Sequence, residues 1–316
     1  MQVGSMTLSI LCSGQGPQHA NMFALTGDAP EAAHLFVHAA TLLDGRDPRS
    51  IVRNDPNAAI HQDCTGQILC TLQALAAAAA LRDAWPHRHI VAGYSVGEVA
   101  AWSVAGLLDA TMTLDLVSRR ADAMDAASRP GDGLLFVRGL SRGAVEDLCK
   151  RHNAAIAIIN PDDAYVLGGS GKALDIITDH ATKMGAAHIV RLAVNVASHT
   201  ERLATASVEF RKVLASTPMM HTQDANVRLF SGIDGTVVTS VTAGFDKLAN
   251  QVSHTVQWAA CLEGSVEAGA SAFLELGPGR ALSEMAANSY PNIPARSLEE
   301  FRTLQGVRAW LRSVVG

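Results

Sequence analysis

A glycine–serine–glycine spacing around residue 95 is the part of the sequence with the clearest chemical meaning. Gly93-x-Ser95-x-Gly97 follows an apolar run at 89–92 and precedes apolar residues with helical spacing at 99–104. In a strand–turn–helix of this kind, glycines two residues to either side of the serine relieve contacts with neighbouring backbone. The turn exposes the serine hydroxyl, and the start of the helix offers free N–H groups that can bind an oxyanion. The spacing therefore predicts that Ser95 is a nucleophile.

A serine needs a neighbouring base that takes its proton, and histidine is the usual base. The chain has 12 histidines, and most lie in polar stretches without a distinguishing pattern. His199 differs because it follows the strand-like segment 192–196 and precedes a predicted helix, a position where catalytic groups accumulate. Residue types alone leave it open whether His199 is the base, a helix cap or a core residue.

Strands and helices alternate around these two residues, as in α/β proteins with a parallel sheet. The patterns predict strands at 8–12, 89–92, 227–230 and 271–276, and helices at 67–81, 99–104, 109–124, 201–213 and 245–252. In the middle of the chain the rhythm changes to β-α-β-β-α-β, with strands at 134–137, 154–159, 165–167 and 188–194 and helices at 141–152 and 173–184. We therefore predict an α/β hydrolase-like core with a parallel sheet (1–127 and 197–316) that carries an inserted ferredoxin-like small domain (128–196).

Composition narrows the class of protein further. The chain has 316 residues, of which 48% are hydrophobic and 17% charged, with a net charge of −5. This balance argues against nucleic-acid binding, which needs a basic surface, and the apolar run 74–81 is too short for a membrane span. The N-terminal residues lack the basic and apolar segments of a signal peptide. The five cysteines show neither pairing nor Cys-x-x-Cys spacing, so we expect buried thiols in a reducing compartment, the cytoplasm.

Further motifs occur in order along nearly the whole chain. They are Gly14-Gln15-Gly16-Pro17-Gln18, Gly93-Tyr94-Ser95-Val96-Gly97-Glu98, Arg120 followed by Met124, Asn160-Pro161, Leu192-x-Val194 before Ser198-His199, Gln251 before Trp258, and Leu274-Glu275-Leu276-Gly277-Pro278-Gly279. Together they resemble the motifs of the malonyl-CoA:acyl carrier protein transacylase family, the acyltransferases of fatty-acid and polyketide synthesis.

The resemblance implies a role for each matching residue. Ser95 would attack the thioester of an acyl-CoA, and His199 would take its proton in a serine–histidine dyad oriented by backbone carbonyls. The backbone N–H groups of Gln15 and Val96 would hold the oxyanion. A malonyl group would thus pass from malonyl-CoA to the thiol of an acyl carrier protein, with coenzyme A thioester as the substrate and no bound cofactor or metal.

Substrate binding is implied for Arg120 and Gln251. A guanidinium suits a malonyl carboxylate because its planar fork donates two parallel hydrogen bonds. The residues alone leave a second interpretation open, in which Arg120 is an exposed helix charge beside Arg119. Neither nucleic acid nor a membrane is an expected partner.

Two departures from the family pattern bear on specificity. Tyr94 stands where the family usually has a histidine, and Val196-Ala197-Ser198-His199 replaces the His-Ala-Phe-His of malonyl-selective synthase domains. Loss of the phenylalanine before His199 should enlarge the pocket. Together the two changes resemble the epsilon subunit of bacterial malonate decarboxylase, a stand-alone transacylase that primes the carrier subunit of that enzyme. The alternative is a polyketide or fatty-acid trans-acyltransferase that takes methylmalonyl-CoA or another acyl-CoA.

Two other classes of protein share some of these features. A serine esterase or thioesterase would have the same nucleophile turn, but an α/β-hydrolase should carry an acid and then a histidine late in the chain. A non-catalytic docking subunit could share the fold, although the joint presence of Ser95, His199 and Arg120 argues against it.

Overall fold

The computed structural model describes residues 6–218 and 224–315. Residues 1–5, which belong to the N-terminal stretch predicted not to be a signal peptide, lie outside the described residues. The strands are β1 (Thr7–Cys12), β2 (His89–Gly93), β3 (Asp132–Arg138), β4 (Ala155–Asn160), β5 (Ala164–Ser170), β6 (His188–Arg191), β7 (Val227–Leu229), β8 (Val256–Gln257), β9 (Ala270–Glu275) and β10 (Ala295–Ser297). The helices are α1 (Ala33–Leu42), α2 (Pro48–Asn54), α3 (Asn57–Ile60), α4 (Asp63–Leu81), α5 (Gly97–Val104), α6 (Ala110–Ala127), α7 (Arg142–His152), α8 (Gly171–Lys183), α9 (Ala204–Ala215), α10 (Val241–Gln251), α11 (Trp258–Glu267), α12 (Ala281–Ser289) and α13 (Leu304–Val315).

The larger sheet is parallel throughout, in the order β10-β9-β1-β2-β7. β1 lies at its centre and is buried along its whole length, as expected for a strand covered by helices on both faces. The carboxyl ends of parallel strands meet at one edge, so the loops after β1, β2 and β9 lie together there. These loops carry Gln15, Ser95 and Gly277, and the predicted parallel α/β fold is confirmed.

Helix α4 packs against α5 and α6 beside this sheet and is buried on almost every side. By length and composition alone, the segment Asp63–Ala84 could cross a membrane. The apolar run 74–81 considered in the sequence is only part of this segment. In this fold, 83% of its apolar window is buried inside the protein. The polar residues Asp63 and Gln67 lie within that buried surface, near the start of the helix.

The second sheet is built from the middle of the chain in the predicted β-α-β-β-α-β order. Its strands β6-β3-β5-β4 are antiparallel, and α7 and α8 pack against them. A fifth strand, β8, pairs parallel to β4 and comes from the segment assigned to the large domain. The ferredoxin-like description and the boundaries at 128 and 196 stay predictions.

Some elements differ from the sequence pattern. The strand predicted at 188–194 ends at Arg191, because the chain leaves the sheet after Leu192 donates its last hydrogen bond to Leu134. Helices α1, α2, α3 and α11 are not predicted by the pattern. α1 buries only three of its residues and the others are short or carry weak spacing, so periodicity does not mark them.

A buried acid ties the loop after β1 to the loop after β9. Glu275 is 1% exposed, and its two carboxylate oxygens accept hydrogen bonds from Ser13 Oγ and from the backbone N–H of Ser283, both at 2.8 Å. Burial raises the pKa of Glu275 from 4.5 to about 7. The folded protein therefore binds a proton here that the unfolded chain releases at lower pH.

Replacement of Glu275 by glutamine should change the pH dependence of stability. Between pH 4.5 and about 7 the native carboxyl holds more proton than the unfolded one, so stability conferred by Glu275 falls as the pH rises. We expect the free energy of unfolding of the wild type, relative to Glu275→Gln, to fall by about 3 kcal/mol across this window. Urea unfolding at a series of pH values measures it. Exposed Glu284 on α12 provides the control Glu284→Gln, and equal pH dependence in both variants would contradict the assignment.

Candidate active site

Ser95 lies in the turn between β2 and α5 with a backbone φ of 56°, a left-handed conformation that is rare for a serine. The flanking glycines are required by space. A Cβ on Gly93 would lie 2.2 Å from the backbone N of Glu98, and one on Gly97 would lie 2.1 Å from the carbonyl oxygen of Cys12. The turn predicted from the sequence is therefore present, and steric contact with β1 explains its spacing.

His199 contacts the nucleophile directly. Its Nε2 lies 2.8 Å from Ser95 Oγ, and its Nδ1 lies 2.5 Å from the backbone carbonyl oxygen of Gln251. Its own backbone N–H donates to the carbonyl of Val252 at 2.9 Å, and its φ is 60°. The ring is thus oriented by the carbonyl of Gln251 at the end of α10, while the carbonyl of Val252 holds the backbone of His199. The structure brings together the pair Ser95–His199 predicted from the sequence.

The protonation of His199 follows from its surroundings. The side chain is buried, and burial together with the nearby Arg120 charge lowers its pKa from 6.5 to about 3. Because the Gln251 carbonyl can only accept, Nδ1 carries the proton of the neutral ring. Nε2 then has a free lone pair, and the Ser95 hydroxyl donates to it. This arrangement is that of a base ready to receive a proton from the serine.

The loop after β1 lies against the nucleophile turn. A Cβ on Gly14 would approach the carbonyl oxygen of Tyr94 to 2.8 Å and Ser95 Cβ to 3.3 Å, so only glycine allows this contact. The backbone N–H groups of Gln15 and Val96 have no acceptor among the residues that the structure describes. Two free N–H groups beside a serine are suited to binding a developing oxyanion.

Arg120 is fully buried in α6, so the interpretation as an exposed helix charge is wrong. Its Nη1 donates to Gln67 Oε1 at 2.5 Å and its Nη2 contacts Gln251 Oε1 at 3.4 Å. Within residues 6–218 and 224–315, its Nε has no hydrogen-bond partner and its guanidinium forms no ion pair. Burial lowers the pKa of Arg120 to about 10, so the guanidinium stays charged at neutral pH without a direct anionic partner.

Gln251 links the predicted residues to one another. Its Nε2 donates to the backbone carbonyl of Ser95 at 3.0 Å and to Glu98 Oε2 at 2.7 Å, while its Oε1 faces Arg120. Its side chain is therefore engaged with the protein on both ends, which favours a positioning contribution over the direct substrate contact that the sequence predicts. Glu98 also accepts from the backbone N–H of Gly232 at 3.0 Å.

Three further buried residues belong to this network, and residue types and spacing do not predict a role for them. Gln67 contacts Arg120, Asp63 accepts from Gln67 Nε2 at 2.8 Å, and Glu98 accepts from Gln251. The sequence does contain a signal for the first two. Asp63 and Gln67 are polar, lie one helical turn apart on one face, and begin a helix that is apolar over most of its length.

A groove of about 500 Å³ lies between the two sheets, beside the loop that carries Gln15 and next to the nucleophile turn. Gln15 and Tyr94 line it from the large sheet, and Phe136, Asn160 and Leu192 line it from the small domain. Tyr94 packs edge-on against Trp258, with ring centroids 5.3 Å apart. The groove is mostly apolar, as is usual for sites that bind small molecules.

Comparison with known proteins places this geometry in a family. The family described as "Acyl transferase domain" matches residues 10–297. Polyketide synthase GfsB of Streptomyces halstedii is 32% identical over 291 residues, which are 89% of this chain and 5% of that much longer protein. Malonyl CoA-acyl carrier protein transacylase of Mycobacterium tuberculosis (strain ATCC 25618 / H37Rv) is 30% identical over 211 residues, 66% of this chain and 68% of that protein.

A solved structure gives the same answer. The crystal structure of MCAT from Mycobacterium tuberculosis superimposes with a TM-score of 0.86 at 26% identity, covering 98% of this chain and 100% of the other. Fold, motif order and sequence match therefore agree over nearly the whole length, and the chain belongs to the acyl transferase domain family.

Proposed function

We propose that this enzyme moves a malonyl group from malonyl-CoA to the thiol of an acyl carrier protein through an acyl-enzyme on Ser95. One observation carries the proposal. A Ser95–His199 pair at 2.8 Å lies beside the buried Arg120 guanidinium, whose hydrogen-bond partners are neutral amides. A buried cation of this kind favours an anionic ligand, and the malonyl carboxylate is an anion attached to the reacting acyl group. Relatives named as malonyl CoA-acyl carrier protein transacylases support the same choice.

The first half-reaction follows from the hydrogen bonds at the site. Ser95 Oγ attacks the thioester carbonyl as its proton passes to His199 Nε2, and the N–H groups of Gln15 and Val96 bind the oxyanion. When the tetrahedral intermediate collapses, the C–S bond breaks and His199 returns the proton to the leaving coenzyme A thiolate. Coenzyme A thioester is thus a substrate, and the proposed chemistry uses no bound cofactor or metal.

The second half-reaction reverses these steps with a new thiol. The carrier thiol gives its proton to His199 and attacks the Ser95 ester, and collapse of the intermediate returns the proton to Ser95. His199 is 1% exposed and its ring is neutral, so it is available as base in both directions. The same burial limits the access of water to the Ser95 ester, which favours transfer of the acyl group to a thiol over its hydrolysis.

For the carrier we propose the carrier subunit of a malonate decarboxylase, whose thiol belongs to a phosphoribosyl-dephospho-CoA group. Tyr94 beside Ser95 and Ser198 before His199 support this choice, because together they resemble the pattern of the epsilon subunits of that enzyme. The alternative acceptor is the phosphopantetheine thiol of a polyketide or fatty-acid carrier, which the polyketide synthase relative favours. A cytoplasmic location is part of the proposal, supported by five cysteines that are all free thiols.

Acyl mapping tests the proposal. The enzyme is incubated with radiolabelled malonyl-CoA, methylmalonyl-CoA or acetyl-CoA, digested, and the labelled peptide identified. We expect label on Ser95 from malonyl-CoA, and its transfer to a carrier that bears phosphoribosyl-dephospho-CoA faster than to one that bears phosphopantetheine. Stronger labelling by methylmalonyl-CoA, with transfer to the phosphopantetheine carrier, would support the alternative. No label from any thioester would reject acyl transfer, and rapid p-nitrophenyl ester turnover would then indicate an esterase.

A further inference from the structure

Two matched pairs of side chains hold Arg120 from opposite sides. On one side Gln67 Oε1 accepts from Nη1, and on the other Gln251 Oε1 faces Nη2. Each glutamine in turn donates its amide nitrogen to a buried carboxylate, Gln67 to Asp63 at 2.8 Å and Gln251 to Glu98 at 2.7 Å. Both acids therefore reach the guanidinium only through an amide.

The acids determine which way each amide points. A glutamine side chain can present either its oxygen or its NH₂ group, and the two differ little in shape. A carboxylate can only accept a hydrogen bond, so Asp63 draws the Gln67 NH₂ group toward itself and turns the oxygen toward Arg120. Without that constraint Gln67 could present its NH₂ group to the guanidinium, which would place two donors against each other.

The indirect contact also leaves the Arg120 guanidinium without a direct ion pair. A carboxylate bound directly to the guanidinium would occupy its fork and compete with an acidic substrate. Asp63 Oδ1 and Glu98 Oε1 have no hydrogen-bond partner in the described part of the chain. Each acid binds its glutamine through its other carboxylate oxygen. The acids are thus close enough to orient the amides but leave the guanidinium fork to a ligand.

We propose that Asp63 is a positioning residue for specificity: through Gln67 it aims Arg120 at the carboxylate of the acyl substrate, as Glu98 does through Gln251. The proposal rests on the proposed function, in which Arg120 binds the malonyl carboxylate. Asp63 does not touch the reacting atoms. It acts on the choice between carboxylated and neutral acyl groups more than on the transfer step.

The variant Asp63→Asn tests this because it keeps the size of the side chain and removes its acceptor-only character. Burial raises the pKa of Asp63 to about 6, so the assay is run at about pH 8, where the wild-type group is ionised. We expect the ratio of kcat/KM for malonyl-CoA to that for acetyl-CoA to fall about tenfold, mainly through a higher KM for malonyl-CoA. Asp63→Glu, which keeps a carboxylate, should retain most of the ratio.

Exposed Asp125 gives a matched control, since its charge acts on Asp63 from α6 but it makes no hydrogen bond to Gln67 or Gln251. Asp125→Asn should leave the ratio unchanged. An unchanged ratio in Asp63→Asn would overturn the inference, as would an equal fall in Asp125→Asn. If Asp63→Asn does not fold, Gln67→Met interrupts the same series of hydrogen bonds at its next member. The ratio of kcat/KM values for that variant then tests the inference. A wild type that prefers acetyl-CoA would instead reject the proposed function itself.

Discussion

Replacement of His199 by alanine should slow acylation of Ser95 by malonyl-CoA about 10³-fold. Removal of a general base costs about 10²–10⁴-fold, and the neutral ring at 2.8 Å from Ser95 Oγ is the only base within hydrogen-bond distance of that oxygen in the described chain. The residual rate should rise with pH, because attack then depends on a serine proton taken by hydroxide. Rapid-quench measurement of the labelled acyl-enzyme gives the rate constant directly.

His254 supplies the matched control for this result. It is exposed, lies three residues after Gln251, and makes hydrogen bonds to Ser253 Oγ and the carbonyl of Asn250 without touching Ser95. His254→Ala should acylate at the wild-type rate. If His199→Ala also acylates at that rate while its circular dichroism and melting temperature are preserved, another group is the base.

Replacement of Arg120 by alanine should remove the preference for malonyl over acetyl groups. Loss of a bidentate hydrogen bond between two charged groups should lower kcat/KM for malonyl-CoA by about 10²-fold or more. Acetyl-CoA lacks the carboxylate, so its kcat/KM should change by no more than about threefold. Parallel steady-state assays with the two thioesters measure the difference, and equal losses would contradict the carboxylate-binding assignment.

Arg119 provides a control on the same helix. It is exposed, and Arg119→Ala removes an identical charge one residue away without reaching the buried network. That variant should keep both activities. Thermal unfolding of Arg120→Ala separates a folding defect from a specificity defect, since a folding defect lowers the activity with both thioesters together.

The nucleophile turn can be predicted from residue types because geometry leaves few choices. Gly93 and Gly97 must lack a Cβ to pass the backbone of Glu98 and Cys12, so the spacing itself carries the structural information. His199 has no such local constraint. Its orientation depends on the carbonyl of Gln251, 52 residues further along the chain, and only the order of the family motifs identifies it.

The network around Arg120 cannot be predicted from residue types and spacing. A buried arginine and an exposed one look alike in sequence, and Arg120 follows an exposed arginine directly. Its burial results from the packing of α6 between α4 and α9, which are non-local contacts. Asp63 and Gln67 could have been noticed as polar residues on one face of an apolar helix, but their partner lies on a different helix.

Secondary structure is predictable where an element is long. Long, strongly patterned elements such as β1 and α4 agree with prediction within a few residues at most. Val256–Gln257 is two residues long, too short for any period to be recognised, and it pairs with β4 only because the fold brings the two segments together.

That two-residue strand has a consequence for domain exchange. Excision or swapping of the middle segment alone would leave the small sheet without its edge partner and would expose the backbone of β4 to unwanted pairing. The same short strand follows Gln251, whose carbonyl orients His199, by only a few residues. A chimera intended to graft a new specificity onto this scaffold should therefore carry residues 251–257 together with the transplanted small domain, so that the new sheet and the histidine keep their shared support.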